Sequence, residues 1–226
     1  MKGLRSGALA ALAVVAAGCH HAPPRTRSDD LPPPASESRA GASKRSAGPV
    51  SAPVASAAAP VAPERARAVA AAAGLVGRRT IVVDGVDYGM DCAALVRAAY
   101  ERAGHPLPPD ARDAAALYAL AKRRGLLAEG RRAAPGDLVF FAEREGGRPA
   151  HVGLVESVDP DGTAIVFHRV ARGVMRLRVN LAWPGRQTDP STGRHVNDVL
   201  LVGARAVPAG SLVVAAADLL RAPARR

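Results

Sequence analysis

The spacing of apolar residues divides the chain into a helical first part and a β-rich second part. Apolar residues recur at helical spacing over 92–103, where Asp91 is a suitable N-cap and Gly104 a suitable residue to end the helix. Two further helices are predicted, at 64–73 and at 110–124. The first part of the folded region is therefore expected to be mainly helical.

The second part contains short runs of β-branched and apolar residues that are separated by turn residues. Together with one early run, these segments predict strands at 80–83, 137–142, 151–158, 163–170, 174–179 and 199–207. A polar loop is expected at 184–198, and a short helix at 211–220. Helices followed by strands indicate an α+β domain rather than alternating βαβ units.

Two of the predicted strands form a hairpin whose register can be worked out. The sequence Asp-Pro-Asp-Gly is a strong turn signal, and as a four-residue loop it pairs Val158 with Thr163. His168 then lies opposite Gly153, and His151 is its diagonal neighbour on the same face. A shift by one residue would place the two rings on opposite faces of the sheet.

The N-terminus has the features of a targeting signal. An apolar stretch at 8–17 follows Lys2 and Arg5, and it is too short to span a bilayer. The small residues directly before Cys19 resemble a bacterial lipobox, in which lipid is attached to the cysteine after cleavage. We expect residues 1–19 to be a lipoprotein signal peptide with Cys19 as the lipid attachment site. An ordinary secretory signal is the alternative.

Composition separates a linker from a domain. Residues 20–63 are rich in Ala, Pro and Ser and contain no aromatic residue, which predicts a disordered linker. All the aromatic residues (three Tyr, three Phe and one Trp) lie between positions 88 and 183. The folded domain is therefore placed at 64–226, with its core at about 64–180.

The net charge of +11 comes from 31 Lys and Arg against 20 Asp and Glu. Such an excess is typical of nucleic-acid-binding proteins, but the aromatic residues are few and no nucleic-acid-binding motif is present. We therefore expect no nucleic-acid partner. An anionic polymer or membrane surface suits the charge better.

The two cysteines of the chain suit separate roles. If Cys19 carries lipid, Cys92 is single and the domain contains no disulfide. Cys92 lies at the first turn of its helix, where free N–H groups and partial positive charge favour a thiolate nucleophile. A nearby histidine would be its base, and a second histidine could orient the first. On these residues alone, an inert buried cysteine is equally open.

Four segments resemble, in order and spacing, the motifs of the NlpC-type cell-wall peptidases, which are compact relatives of papain. These segments are 91–96 (Asp-Cys-Ala-Ala-Leu-Val), 134–141, 151–155 and 167–168. The resemblance implies that Cys92 is the nucleophile, His151 the base and His168 the orienting residue. It also implies N-terminal helices packed on a small antiparallel sheet, and no metal or cofactor.

The resemblance further implies hydrolysis of peptide bonds in peptidoglycan stem peptides, typically between D-glutamate and a diamino acid, through an acyl-enzyme. A lipid anchor would hold the exported protein, a monomer, at a membrane on the periplasmic side, and the outer membrane is favoured. Two alternatives stay open. One is a related thiol amidase or esterase that acts on another wall bond, and the other is an inactive wall-binding domain.

Several residues depart from the family pattern or have weaker assignments. Ala93-Ala94 stand where the family has Ser-Gly, and Tyr88 is closer to Cys92 than the family's tyrosine. Tyr88 and Asp91 are candidate substrate contacts, although core packing and helix capping are their simpler roles. The other two histidines of the domain, at 105 and 195, are expected on the surface.

Overall fold

The structure of the protein is a computed structural model, and it describes residues 62–128 and 132–221. The predicted signal peptide, its Cys19 and the predicted linker up to residue 61 lie outside these ranges. Within the two described ranges, no helix has both the length and the apolar composition needed to cross a bilayer.

Three α-helices form the first part of the domain: α1 (Pro63–Ala73), α2 (Cys92–Arg102) and α3 (Ala114–Arg123). Helix α2 begins as predicted, because the Asp91 side chain accepts a hydrogen bond of 2.7 Å from the N–H of Ala94. Gly104, with a φ of 84°, follows its last turn. Helix α3 begins later than predicted because Asp113 is its N-cap.

The strands are β1 (Val82–Val83), β2 (Val86–Asp87), β3 (Leu138–Ala142), β4 (Pro149–Val158), β5 (Thr163–Val170), β6 (Gly173–Asn180), β7 (Val199–Val202), β8 (Arg205–Pro208) and β9 (Val213–Ala217). Five of them form an antiparallel sheet in the order β6-β5-β4-β3-β9, and β1-β2 and β7-β8 are separate two-stranded sheets. With three helices on an antiparallel sheet, the predicted α+β class is confirmed.

The C-terminal elements differ from the prediction. The strand predicted at 199–207 is a hairpin that turns at Gly203, where φ is 60°. The helix predicted at 211–220 is wrong, because Ala209–Leu212 forms a 3-10 helix and β9 follows it. Strand β9 pairs with β3, and the open edge of that strand outweighs the local helix propensity of the alanines. The sheet thus extends beyond residue 180.

Side chains alternate between the two faces of the sheet, and each face has its own core. The helix face packs against α1, α2 and α3, and its sheet residues include Phe140, Val152, Leu154 and Phe167. The hairpin face is covered by the β7–β8 hairpin and the 3-10 helix, and its sheet residues include Val139, Phe141, Val155 and Val166.

The register of the β4–β5 hairpin agrees with the prediction at the site but not at the turn. Val158 pairs with Ala164, one residue beyond the predicted partner. A bulge at Glu156 then absorbs one residue of β4, and Gly153 lies opposite His168 as predicted. Without the bulge, the two site histidines would project from opposite faces.

Candidate active site

Cys92 is the first residue of α2 and is half-buried at the edge of the helix-face core. Burial, which disfavours the charged thiolate, raises the pKa of the thiol, and the carboxylate of Asp91 raises it further. Hydrogen bonds from the backbone N–H groups of Val152, Cys92 and Ala93 lower the pKa by less. The N–H groups at the start of α2 thus act in the expected direction, but burial outweighs them and the pKa of the thiol is raised overall.

The predicted histidine pair is brought together. His151 on β4 and His168 on β5 are joined by a 3.3 Å contact between Nε2 of His151 and Nδ1 of His168. Their rings are nearly perpendicular, with centroids 5.5 Å apart. This contact uses one nitrogen of His151 and leaves Nδ1 as the nitrogen that can accept a proton from a thiol.

Gly153 makes the approach of the two histidines possible. A Cβ at this position would lie 2.5 Å from Cγ1 of Val166 and 2.7 Å from the carbonyl oxygen of Phe167. It would also lie 3.4 Å from Cβ of His168, which is the partner of Gly153 across the strand pair. A side chain here would push β5 and its histidine away from β4.

Both rings are neutral at neutral pH. Burial lowers the pKa of His151 to about 4, and the nearby His168 lowers it further as a potential like charge. Burial also lowers the pKa of His168, against a smaller raising effect from Asp198. A neutral His151 can accept a proton, so the pair is in the state that general-base chemistry needs.

The predicted nucleophile and the predicted base come from different layers of the domain. Cys92 belongs to the helix layer, whereas His151 projects from the hairpin face with Phe141, whose ring centroid lies 6.1 Å away. The backbone of Val152, the residue after His151, reaches the thiol. Among the described residues no hydrogen bond joins the thiol to His151, and such bonds are often long before substrate binds.

The two weaker candidates lie on the helix side. Tyr88 is 8% exposed and packs in the helix-face core, with the guanidinium of Arg97 5.7 Å from its ring centroid. Burial raises the pKa of Tyr88 to about 12, and a hydrogen bond to Glu101 adds to this, so the phenol stays protonated. Asp91 caps α2. Both placements agree with the simpler roles.

A groove of about 400 Å³ opens beside the histidine pair on the hairpin face. Its border includes Phe141, His151, His168 and the strand β7, and the single acidic residue among those that line it is Glu143. Sequence reasoning missed this groove. The apolar pattern at 199–202 was visible, but only the fold places it against the histidines.

The remaining histidines of the domain are half-buried rather than fully on the surface. Nε2 of His195 lies 3.1 Å from Oδ1 of Asp198, whose other carboxylate oxygen accepts a 2.6 Å hydrogen bond from the N–H of Arg178. Asp198 thus ties the loop before β7 to β6, and His195 contacts its carboxylate. His105 follows α2, and its N–H donates to the carbonyl of Tyr100.

Comparison with known proteins gives a family match and two similar structures. Residues 77–182 match the NlpC/P60 family. A crystal structure of an NlpC/P60 family protein from Bacillus cereus ATCC 10987 is 21% identical, with a TM-score of 0.43, over 70% of this chain and 40% of that one. The structure of Ly7917 is also 21% identical, with a TM-score of 0.37, over 52% of this chain and 57% of that one.

This chain therefore spans about two fifths of the first of these proteins and somewhat more than half of the second. No curated protein matches it. The family match coincides with the helix that carries Cys92, with both site histidines and with four strands of the central sheet. The chain thus carries, over residues 77–182, a domain of the NlpC/P60 family, whose members are generally cell-wall peptidases.

Proposed function

We propose that this protein is a cysteine peptidase that cleaves stem peptides of peptidoglycan at the bond between D-glutamate and a diamino acid. Cys92 is the nucleophile, His151 its base and His168 the residue that orients the base. The observation that carries the proposal is the 3.3 Å contact between His151 and His168. His151 lies on β4, and the backbone N–H of the next residue, Val152, reaches the thiol of Cys92.

Acylation begins from neutral partners. As the sulfur of Cys92 bonds to the carbonyl carbon of the substrate, the thiol proton moves to Nδ1 of His151. This transfer relieves the cost of forming a thiolate whose pKa is raised by burial. The oxyanion of the tetrahedral intermediate can accept hydrogen bonds from N–H groups at the start of α2.

The intermediate then breaks at the carbon–nitrogen bond. Protonated His151 gives its proton to the leaving amine, and a thioester remains on Cys92. Water attacks the thioester and gives a proton to His151, the carbon–sulfur bond breaks, and the proton returns to the sulfur. Nδ1 of His168 accepts the hydrogen bond from Nε2–H of His151, and this bond keeps the base ring in place during both steps.

The direct test is digestion of purified peptidoglycan by the full chain, followed by mass spectrometry of the released fragments. New amino termini on the diamino acid and new carboxyl termini on D-glutamate are expected, and none with Cys92→Ala. Termini at another wall bond would replace the proposed specificity with that of a related amidase. Equal digestion by Cys92→Ala would refute catalysis by this thiol.

We also propose that the protein is an exported lipoprotein, anchored through Cys19 and held at the outer membrane. The support is the sequence of residues 1–19 alone. Labelling of growing cells with radioactive palmitate should mark the wild-type protein and not Cys19→Ala. Absence of label from both would indicate an ordinary secretory signal, and equal label in both would show that Cys19 is not the attachment site.

A further inference from the structure

A second groove on the domain shares no lining residue with the groove beside the histidines. It has a volume of about 750 Å³, and it is lined by α1, by the β1–β2 hairpin and by the end of α2. The charged residues of its lining are Arg67, Arg78, Arg102 and Asp84, which carry three positive charges and one negative charge. We call this feature the arginine groove.

The three guanidinium groups of the arginine groove are only weakly engaged by the protein itself. Arg67 donates hydrogen bonds of 3.2 Å and 3.4 Å to the uncharged carbonyl of Ala103. Arg102 lies 3.8 Å from Asp84, and water screens this pair because both side chains are more than half exposed. Among the described residues, Arg78 forms no ion pair. The groove therefore keeps a net positive charge that favours an anionic ligand.

Exposed apolar side chains accompany the arginine groove. Val82 of β1 lines it and is 52% exposed, and Val86 on the paired strand β2 is 51% exposed. Single apolar side chains on a surface are common, but here two lie on one hairpin beside a basic groove. This combination is typical of surfaces that bind anionic membranes, where cations contact phosphates and apolar side chains enter the headgroup layer. A soluble anionic polymer would leave the valines in water.

The position of the arginine groove along the chain agrees with a membrane ligand. Helix α1, which contributes Arg67 to the groove, begins at Pro63, where the predicted linker ends. The linker thus joins the domain at an element that lines the groove. A chain anchored through Cys19 can therefore place this side of the domain on the membrane.

We propose that the arginine groove binds phosphate groups of anionic lipid headgroups, so that the folded domain itself contacts a membrane surface. Arg67, Arg78 and Arg102 contact the phosphates, while Val82 and Val86 enter the headgroup layer. This contact requires neither acylation nor the peptidase reaction, because no residue of the proposed catalytic site or anchor takes part in it.

The test measures binding of the full chain to lipid vesicles, with Cys19→Ala in every sample so that no lipid is attached. One vesicle type contains phosphatidylcholine alone, and the other also contains about 30% phosphatidylglycerol, which supplies anionic phosphates. Co-sedimentation should show at least about tenfold stronger binding to the anionic vesicles. About 0.5 M NaCl should remove most of this difference, because salt screens exposed charges.

A triple variant locates the attraction in the groove. Replacement of Arg67, Arg78 and Arg102 by glutamine should weaken binding to the anionic vesicles about tenfold or more, because each arginine at the surface contributes. The matched control removes the same charge from exposed residues at the end of α3 that do not line the groove, namely Lys122, Arg123 and Arg124. This control should weaken binding by less than about threefold, because charges away from the contact are screened.

The apolar contribution has its own variant and control. Val82→Ser should weaken binding to the anionic vesicles by about threefold or more, because the valine no longer enters the headgroup layer. Val199→Ser is the control, since Val199 is also an exposed strand valine, at 40%, and does not line the groove. It should leave vesicle binding unchanged.

Three results would overturn the membrane contact. The first is equal binding to the two vesicle types, and the second is an equal effect of the two triple variants. The third is binding of soluble polyphosphate as tight as vesicle binding, together with no effect of Val82→Ser, because the ligand would then be a soluble anionic polymer.

Two further measurements keep the outcomes separate. If the groove triple variant changes the circular dichroism spectrum, Arg78→Gln decides alone, with an expected loss of about threefold in vesicle binding. The groove triple variant should digest purified peptidoglycan like the wild type. Absence of digestion by the wild type would refute the peptidase proposal and leave the vesicle result to decide the membrane contact.

Discussion

The two faces of the central sheet are both buried, but they are closed in different ways. Three helices cover the helix face, and its largest side chains, including Tyr100, Phe140 and Phe167, have no exposed surface. The hairpin face is covered by short C-terminal elements, and Leu201 on one of them is 79% exposed. Cys92, the proposed nucleophile, belongs to the first layer, and His151, its proposed base, belongs to the second.

This difference matters for catalysis. A nucleophile at the start of a packed helix is held in a fixed position, because α2 is buried along most of its length. The histidines lie on the face that is incompletely covered, so a substrate can approach the base without any opening of the helix layer. The comparison predicts that changes on the helix face mainly affect stability, and that changes on the hairpin face affect activity.

The largest expected effect is on the contacts that hold α1 against the sheet. Arg65 of α1 donates hydrogen bonds to Oδ1 of Asp137 at 2.7 Å and to the carbonyl of Pro135 at 2.8 Å, and it is also paired with Asp218. Asp137 is 5% exposed, so Arg65→Met leaves a buried carboxylate without its cation. We expect the free energy of unfolding to decrease by about 3–5 kcal/mol, and calorimetry should show a fall in Tm of roughly 10 °C.

The control for this prediction is Arg67→Met on the same helix. Arg67 is exposed, and its side chain donates hydrogen bonds of 3.2 Å and 3.4 Å to the carbonyl of Ala103. This variant should change Tm by about 2 °C or less. If the two variants have the same Tm, the ion pair with Asp137 is not what holds α1 to the sheet.

The next effect concerns the burial of the base. An unfolded histidine binds a proton near pH 6.5, whereas His151 in the folded domain does so at about pH 4. Between these values the unfolded state holds more protons, so folding stability decreases as the pH falls through this window. The contribution of His151 is on the order of 3 kcal/mol, and urea denaturation from pH 7 to pH 4 measures it.

His151→Gln is the control for the pH series, because glutamine does not titrate. The wild type loses folding stability as the pH falls, so its free energy of unfolding should approach that of the variant or drop below it. In the wild type, kcat/KM should stay high to about pH 4.5, because the base remains neutral. An activity limb at pH 6.5 would mean that His151 titrates like an exposed histidine.

A smaller effect is expected from the close approach of β4 and β5. Gly153→Ala places a Cβ 2.5 Å from Cγ1 of Val166 and should cost about 1–3 kcal/mol. Because the strain also displaces His168, the loss of kcat should exceed that expected from unfolding alone. Gly185→Ala is the matched control, since its Cβ would meet only the hydroxyl of Ser211 at 3.8 Å. Full activity in Gly153→Ala would contradict the positioning role.

The smallest effect concerns the two N-caps, which have the same geometry. Asp91 accepts from Ala94 at 2.7 Å, and Asp113 accepts from Ala116 at 2.8 Å. Replacement of either aspartate by alanine should cost about 1 kcal/mol, because each change removes one cap. Thermal denaturation of the two variants should therefore give similar shifts.

Only the first cap lies beside the nucleophile. Asp91→Asn keeps the capping oxygen and removes the charge that raises the pKa of Cys92. As the pH is raised, alkylation of Cys92 by iodoacetamide should therefore become fast at a lower pH in Asp91→Asn than in the wild type. Asp113→Asn should not shift this pH. An unchanged alkylation profile would show that the carboxylate of Asp91 does not influence the thiol.

The site was predictable to different degrees in its different parts. Helix α2 and its cap follow from local sequence, because periodicity and the Asp91 cap are properties of neighbouring residues. The pairing of His168 with Gly153 was predicted correctly, although the turn register behind it was off by one residue. The bulge at Glu156 compensated, and nothing in the local sequence indicated it.

The direction in which the pKa of the Cys92 thiol shifts could not be predicted from its position in the helix alone. The N–H groups at the start of α2 act as expected, but burial under the rest of the domain acts in the opposite direction and is larger. Burial depends on what packs over Cys92, which includes residues about sixty positions away, such as Val152. The same holds for Asp137, whose partner Arg65 lies on another element.

The sequence by itself determined the helices and most of the strands, and it predicted the roles of Cys92, His151 and His168. These features depend on side-chain type and on spacing within one element. Only the tertiary structure decided that β9 completes the sheet, that Cys92 and His151 come from opposite layers, and that a C-terminal hairpin borders the candidate site. Each of these depends on pairing and burial between distant segments, which local patterns do not encode.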